Sequence, residues 1–144
     1  MALLIGVLFS CNKDDFPTRP IEDDALKDCY NQTEWSNAKI KEVLIGKWKW
    51  VFEENYWAWG KGNNTENENV RIEFFRDSTL NYWVEDSIEF TTKWMVTPAW
   101  GKTYSLLLDS SITKLYGTIL LCDDIIVFKG SYGDLSDNYY KKIH

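Results

Sequence analysis

The feature that most constrains the fold is a succession of short segments in which apolar and polar residues alternate. The first of these segments places Trp48, Trp50 and Phe52 on one face and Lys47 and Lys49 on the other. A period of two residues is typical of a β-strand with one face in the core and one face in solvent. The sequence therefore predicts a protein built from half-buried strands.

Seven further segments of the same kind follow, separated by residues that favour turns. They cover residues 70–74, 80–84, 88–96, 103–108, 115–122, 125–129 and 138–143. Short connections between alternating strands favour antiparallel hairpins. We therefore expect an all-β fold, an eight-stranded antiparallel up-and-down barrel, which has room inside for side chains or one small ligand.

A short helix is predicted immediately before the first strand. Ser36 can cap its first turn, Ile40, Val43 and Leu44 have helical spacing, and Gly46 stands where such a helix ends. We expect this helix to plug one end of the barrel.

The N-terminal region has the character of a targeting segment. Residues 2–9 are apolar but too few to cross a bilayer as a helix, which takes about 20 residues, so they are typical of a signal-peptide core. Residues 8–11, Leu-Phe-Ser-Cys, resemble a bacterial lipobox, which implies that residues 1–10 are removed and that Cys11 is acylated. The lipid on Cys11 would then anchor the chain in a membrane.

The residues that follow Cys11 indicate a cellular location. Residues 12–16, Asn-Lys-Asp-Asp-Phe, resemble the export signal of Bacteroidota lipoproteins, which implies the exterior face of the outer membrane. Pro17, Pro20 and several acidic residues then favour an extended linker. We therefore assign residues 11–35 to a lipidated Cys with an acidic tether, and residues 36–144 to the barrel domain.

Composition limits the class of partner. With 144 residues, of which 44% are hydrophobic and 26% charged, the chain fits one globular domain. Its net charge of −6, without a basic cluster, opposes binding to a nucleic-acid backbone. The one histidine is His144, so the sequence predicts no catalytic residues, no metal site and no cofactor, and we expect no enzyme.

The remaining cysteines, Cys29 and Cys122, lie on either side of most of the barrel sequence. Because an exported protein meets oxidising conditions, we expect a disulfide between them. Two buried thiols are the alternative.

The motif Leu44-x-Gly46-x-Trp48 and the hairpin-linked strands up to Lys142 resemble lipocalin-like domain lipoproteins of the Bacteroidota type, with a calycin-like β-barrel. The family packs the Trp of its first strand against a basic side chain near the last strand. The resemblance implies that Lys141 or Lys142 takes this place here.

The long connection at residues 54–69 carries the predicted ligand site. Tyr56, Trp57 and Trp59 are aromatic residues among polar neighbours, and they would line the barrel mouth opposite the helix for a small apolar or glycan ligand. Alternatively, Trp57 and Trp59 fold back to cover that mouth. Trp100 is expected to cap the barrel at the helix end.

Two functions therefore stand side by side. One is a surface lipoprotein that binds a small ligand at the barrel mouth. The other is a non-catalytic structural or protein-interaction lipoprotein whose barrel is fully packed. The large inward residues predicted by the alternation favour a filled interior, because native packing leaves few voids.

Overall fold

A computed structural model describes residues 18–55, 62–64 and 69–144 of the chain. The predicted sites at Cys11 and at Tyr56, Trp57 and Trp59 lie outside the described residues. The helices are α1 (Asp23–Asn31) and α2 (Asn37–Leu44). The strands are β1 (Gly46–Glu54), β2 (Gly62–Asn64), β3 (Val70–Phe74), β4 (Thr79–Val84), β5 (Ser87–Pro98), β6 (Tyr104–Leu108), β7 (Thr118–Cys122), β8 (Ile125–Lys129) and β9 (Asp137–Ile143).

The sheet closes on itself. From β3 to β9 each strand pairs with the next one along the chain, and β1 pairs with both β3 and β9. The short strand β2 pairs with the last residues of β1, whereas β3 pairs with its first residues, so β2 and β3 share one position in the wall. All of these pairings are antiparallel, which confirms the eight-stranded up-and-down barrel.

One predicted strand begins later than its sequence pattern suggests. The expected strand 115–122 is a 3-10 turn at Thr113–Leu115 followed by β7, which starts at Thr118. Gly117 between them has a φ of +115°, which side-chain-bearing residues rarely adopt, and a Cβ there would lie 2.5 Å from the carbonyl of Lys129. This glycine therefore ends the turn and starts the strand.

The first strand contains a β-bulge that the alternation did not predict. Trp50 is opposite Tyr140, but Phe52 is opposite Tyr139, so the register shifts by one residue between them. Phe52 consequently shares the outer face with Tyr139, and their rings meet edge to face with centroids 5.4 Å apart. The prediction that Phe52 faces inward with Trp48 is therefore wrong, because a bulge reverses the facing of the residues beyond it.

The interior near α2 is filled by large side chains. Trp48, Phe74, Phe128 and Tyr140 are each at most 1% exposed. Phe74 packs edge to face on Trp94, with ring centroids 4.9 Å apart, and Phe128 packs in the same way on Tyr140 at 5.6 Å. Such contacts contribute dispersion and quadrupole energy in addition to the burial of apolar area.

Helix α2 plugs one end of the barrel, as predicted. Ser36 Oγ accepts a hydrogen bond from the backbone N–H of Lys39, and the side chains of Ile40 and Leu44 are fully buried. The indole N–H of Trp48 donates to the carbonyl of Leu44 at 2.8 Å. The end of the helix is thus joined to the first inward residue of the barrel.

Residues 23–31 correct the tether assignment, because they form helix α1 on the outer wall. Leu26, Cys29 and Tyr30 have the i, i+3, i+4 spacing of a single helix face, and Leu26 is 0% exposed. This face covers the outer side of β7, where Leu120 and Cys122 lie. The acidic residues around this short apolar stripe hid it in the sequence.

Among the residues that the structure describes, no helix is long and apolar enough to span a bilayer, and this includes α1 and α2.

Candidate functional site

The end of the barrel opposite α2 holds a cavity of about 450 Å³. It lies where β3 begins, where β4 turns into β5, and where the connection from β6 to β7 crosses the barrel. The lining residues are Val70, Tyr82, Val84, Glu85, Glu89, Phe90, Ser111, Ile112, Thr113 and Lys114. We call this site the mouth cavity.

The wall of the mouth cavity on the β4–β5 side is aromatic and aliphatic. The rings of Tyr82 and Phe90 are stacked with centroids 4.8 Å apart and planes 9° from parallel. Val70 and Val84 are paired opposite each other on β3 and β4 and line the same cavity. This wall offers a rigid apolar surface of the kind that common ligand pockets present.

The opposite wall is the 3-10 turn Thr113–Leu115, which reaches into the barrel. Leu115 is 1% exposed, and the buried hydroxyl of Tyr140 donates to the carbonyl of Lys114 at 3.1 Å. The Lys114 ammonium lies 4.3 Å from the centroid of the Trp50 ring, in cation–π contact. Desolvation raises the pKa of Tyr140 well above its ordinary value, so this hydroxyl stays protonated and keeps its donor role.

The floor beneath the cavity is closed by a buried polar contact. The indole N–H of Trp50 donates to Oδ1 of Asn138 at 3.0 Å, and both residues are nearly fully buried. Below them lie the packed rings near α2. The cavity is consequently shallow, confined to the mouth, and does not continue through the barrel.

The rim of the mouth cavity is polar. Glu85, Glu89, Ser111 and Thr113 are all exposed at its edge. A molecule bound here would place its apolar part between Phe90 and Ile112 and keep polar groups at the rim, where water and these side chains satisfy them.

The predicted ligand-binding residues and the residues that line this cavity are different sets. The connection that carries Tyr56, Trp57 and Trp59 leaves β1 at this same end of the barrel, but these residues lie outside the described part. Sequence reasoning missed Ile112 to Lys114 as site residues because they fall in the connection that precedes the predicted strand 115–122. The signal that could have found them is Gly117, whose conformation interrupts that strand.

Trp100 corrects another expectation. It lies at the tip of the β5–β6 hairpin and is 94% exposed, so it does not cap the barrel. The hairpin closes through backbone hydrogen bonds from the Ala99 N–H to the Thr103 carbonyl and from the Thr103 N–H to the Trp100 carbonyl, while the Trp100 ring points to solvent.

The predicted disulfide between Cys29 and Cys122 is confirmed, and it lies away from the mouth cavity. The Asp123 carboxylate lies near the two sulfurs, but sulfurs joined in a disulfide are not the thiolates that bind metal. The single histidine, His144, contacts Asp124 at 3.2 Å on the exposed turn at the far end of the barrel.

The chain matches no protein-family model. No curated protein and no solved structure shows significant similarity to it.

Proposed function

We propose that this protein is a non-catalytic lipoprotein of the outer-membrane surface, anchored through Cys11, whose barrel binds one small ligand in the mouth cavity. The observation that carries the proposal is the cavity of about 450 Å³ above a closed barrel floor. The lipobox-like residues 8–11, the export-like residues 12–16 and the lipocalin-like sequence pattern support the location and the binding role.

The depth of the cavity limits the ligand. The packed rings of Trp48, Phe74 and Tyr140 occupy the interior below it, and filling or displacing them would require the core to repack. A long chain cannot extend into the barrel. We therefore propose a compact ligand that stays at the mouth.

The lining favours an apolar body with a polar end over a glycan. Four wall residues, Val70, Val84, Phe90 and Ile112, have side chains that offer no hydrogen bond to the hydroxyls of a sugar. The Tyr82 hydroxyl and the Lys114 ammonium are the hydrogen-bonding side-chain groups in these walls. Polar groups are concentrated at the rim. A glycan would leave buried hydroxyls without partners, at a cost of about 1–3 kcal/mol each.

Native mass spectrometry of the protein purified from its own host tests the proposal. We expect a retained small molecule on the wild-type protein and its loss from Val84→Trp, because the larger ring fills the mouth cavity. Leu107→Trp on the outer wall, where Leu107 is 55% exposed, is the matched control and should keep the ligand. Equal ligand retention in both variants would exclude the mouth cavity as the site.

A second candidate, a protein-interaction lipoprotein, is favoured by the outer wall of β5 and β6. Met95 and Leu107 are opposite each other across these strands and are 56% and 55% exposed. They line a groove of about 570 Å³ together with Ala38 at the start of α2. If the purified protein carries no small molecule but Leu107→Glu releases a co-purifying protein, this second function replaces the first.

A further inference from the structure

The start of the described chain is fixed to the wall at the mouth end of the barrel. The Arg19 guanidinium forms an ion pair with Glu54, the last residue of β1, whose side chain is 6% exposed. This contact places Arg19 beside the strand end from which the mouth connection leaves. Helix α1 then runs from this point toward the opposite end, where the Cys29–Cys122 disulfide holds it.

A second ion pair holds the first turn of α1 at the same level. Lys129 Nζ lies 2.7 Å from Oδ1 of Asp23 and 2.7 Å from Oδ2 of Asp137. The side chains of Lys129 and Asp137 are 3% and 0% exposed, so water screens this contact little. The segment from Arg19 to Asp23 is therefore attached to the mouth half of the barrel at two points.

The distance from this attachment to the proposed anchor is short. Cys11 precedes Arg19 by eight residues, and a fully extended chain spans at most about 3.3–3.6 Å per residue, or about 26–29 Å here. A lipid on Cys11 thus keeps the mouth end close to the bilayer. The β3–β4 turn at residues 75–78 lies at the opposite end of the barrel, where Ser78 contacts Lys41 and Arg76 contacts Glu42 of α2.

The surface beside the attachment has the composition of a membrane-interface contact. Tyr116, Tyr132 and Leu135 are 52%, 60% and 38% exposed. They lie in the two connections that flank β7 and β8 at the mouth end, and the Tyr132 ring is 5.6 Å from Lys129 Nζ, beneath the attached segment. We call these three residues the interfacial patch.

We infer that the interfacial patch rests in the headgroup region of the membrane that anchors Cys11, so that the mouth cavity faces the bilayer. Tyrosine is enriched at membrane–water interfaces because its ring is apolar and its hydroxyl is polar. The ligand would then enter from the membrane surface. This inference rests on the lipid anchor of the proposed function.

Hydrogen exchange on vesicle-bound protein tests the orientation. The chain from Cys11 onward is coupled through its Cys11 thiol to a maleimide lipid in phosphatidylcholine vesicles; Cys29 and Cys122 do not compete because they form a disulfide. We expect slower exchange at residues 111–117 and 130–136 on the vesicle than in solution. Exchange at residues 75–78, in the β3–β4 turn at the α2 end, should be unchanged.

A pair of double variants identifies the contact. Tyr132→Glu with Leu135→Glu should remove the slower exchange, whereas Met95→Glu with Leu107→Glu on the barrel wall should keep it. If exchange at residues 111–117 and 130–136 of the wild-type protein is the same on the vesicle as in solution, or if residues 75–78 exchange more slowly on the vesicle, the inference is overturned whether or not the variants fold. Because the synthetic lipid replaces acylation by the host, this result is independent of whether Cys11 is acylated in the cell.

Discussion

At the scale of single residues, Lys142 joins three parts of the barrel. Its ammonium lies 5.0 Å from the centroid of the Trp48 ring and donates to the carbonyls of Val43 and Ile45 at 3.3 and 3.2 Å. The last strand thus supplies a cation to the end of helix α2, where carbonyls lack partners and the helix dipole is negative. The expected basic partner of Trp48 is Lys142, and its exposed neighbour Lys141 makes no part of this contact.

Lys142→Ala should consequently destabilise the fold. We expect a loss of about 1.5–3 kcal/mol in the free energy of unfolding, since hydrogen bonds from a charged group are lost and the last carbonyls of α2 are left without this donor. Urea denaturation measures it. Lys141→Ala is the control and should change stability by less than about 0.5 kcal/mol. Equal losses for the two variants would show that Lys142 contributes only surface charge.

Gly117 and Gly101 form a second matched pair, because both have positive φ but only one is crowded. A Cβ on Gly117 would lie 2.5 Å from the Lys129 carbonyl, whereas nothing lies within 4 Å of a Cβ on Gly101. Gly101→Ala should cost about 1–2 kcal/mol from its left-handed conformation alone. Gly117→Ala should cost clearly more in the same thermal or urea unfolding measurement, because β7 must move away from β8.

At the scale of elements, helix α1 is the element that the local sequence pattern failed to predict. Its acidic residues and the prolines before it predict a tether, and only Leu26, Cys29 and Tyr30 indicate a buried face. Three residues are too few to predict a helix against such a background. The outer face of β7 supplied a further signal, because Leu120 and Cys122 are apolar on the side that a barrel strand normally turns to water.

The disulfide should stabilise α1 on the barrel without creating the barrel. It joins residues 93 positions apart, and a loop of this size is worth up to about 4–5 kcal/mol in the chain-entropy model. We expect Cys29→Ala to lower the unfolding free energy and to increase hydrogen exchange in α1, while exchange within β3 to β5 changes little in native conditions. If this variant instead loses the native circular dichroism spectrum, the barrel folds only when the disulfide holds α1 on it.

The attachment of α1 should also depend on pH. Hydrogen bonds from Lys129 and then Lys27 lower the pKa of Asp23 from 3.8 to about 2. Because the folded-state pKa lies below the unfolded one, this carboxylate stabilises the fold above about pH 4, and the contribution is lost as the pH falls toward 2. Asp23→Asn should therefore flatten the pH dependence of unfolding in that window. Asp24→Asn, on the exposed side of α1, should leave the wild-type slope.

At the scale of the whole molecule, the barrel followed from the sequence and the site did not. Strands such as β3 and β8 have strong alternation or apolar runs between clear turns, so their order and antiparallel pairing were predictable. The mouth cavity depends on how the β6–β7 connection folds inward at Ile112 and Leu115, which is decided by tertiary packing. The bulge that turns Phe52 outward is likewise set by pairing with β9, and the alternation of apolar and polar residues within β1 does not indicate it.

The proposed processing at Cys11 has a direct mass signature. If Cys11 is acylated, protein extracted from host membranes should begin at Cys11, lack residues 1–10 and carry the added mass of its acyl groups. Cys11→Ser should abolish that added mass and release the protein from the membrane fraction, because a single polar substitution removes the acceptor thiol without touching the barrel. Cys29→Ala controls for the loss of a cysteine and should remain acylated. An unprocessed Met1 on membrane-extracted wild-type protein would contradict the anchor and, with it, the proposed surface location.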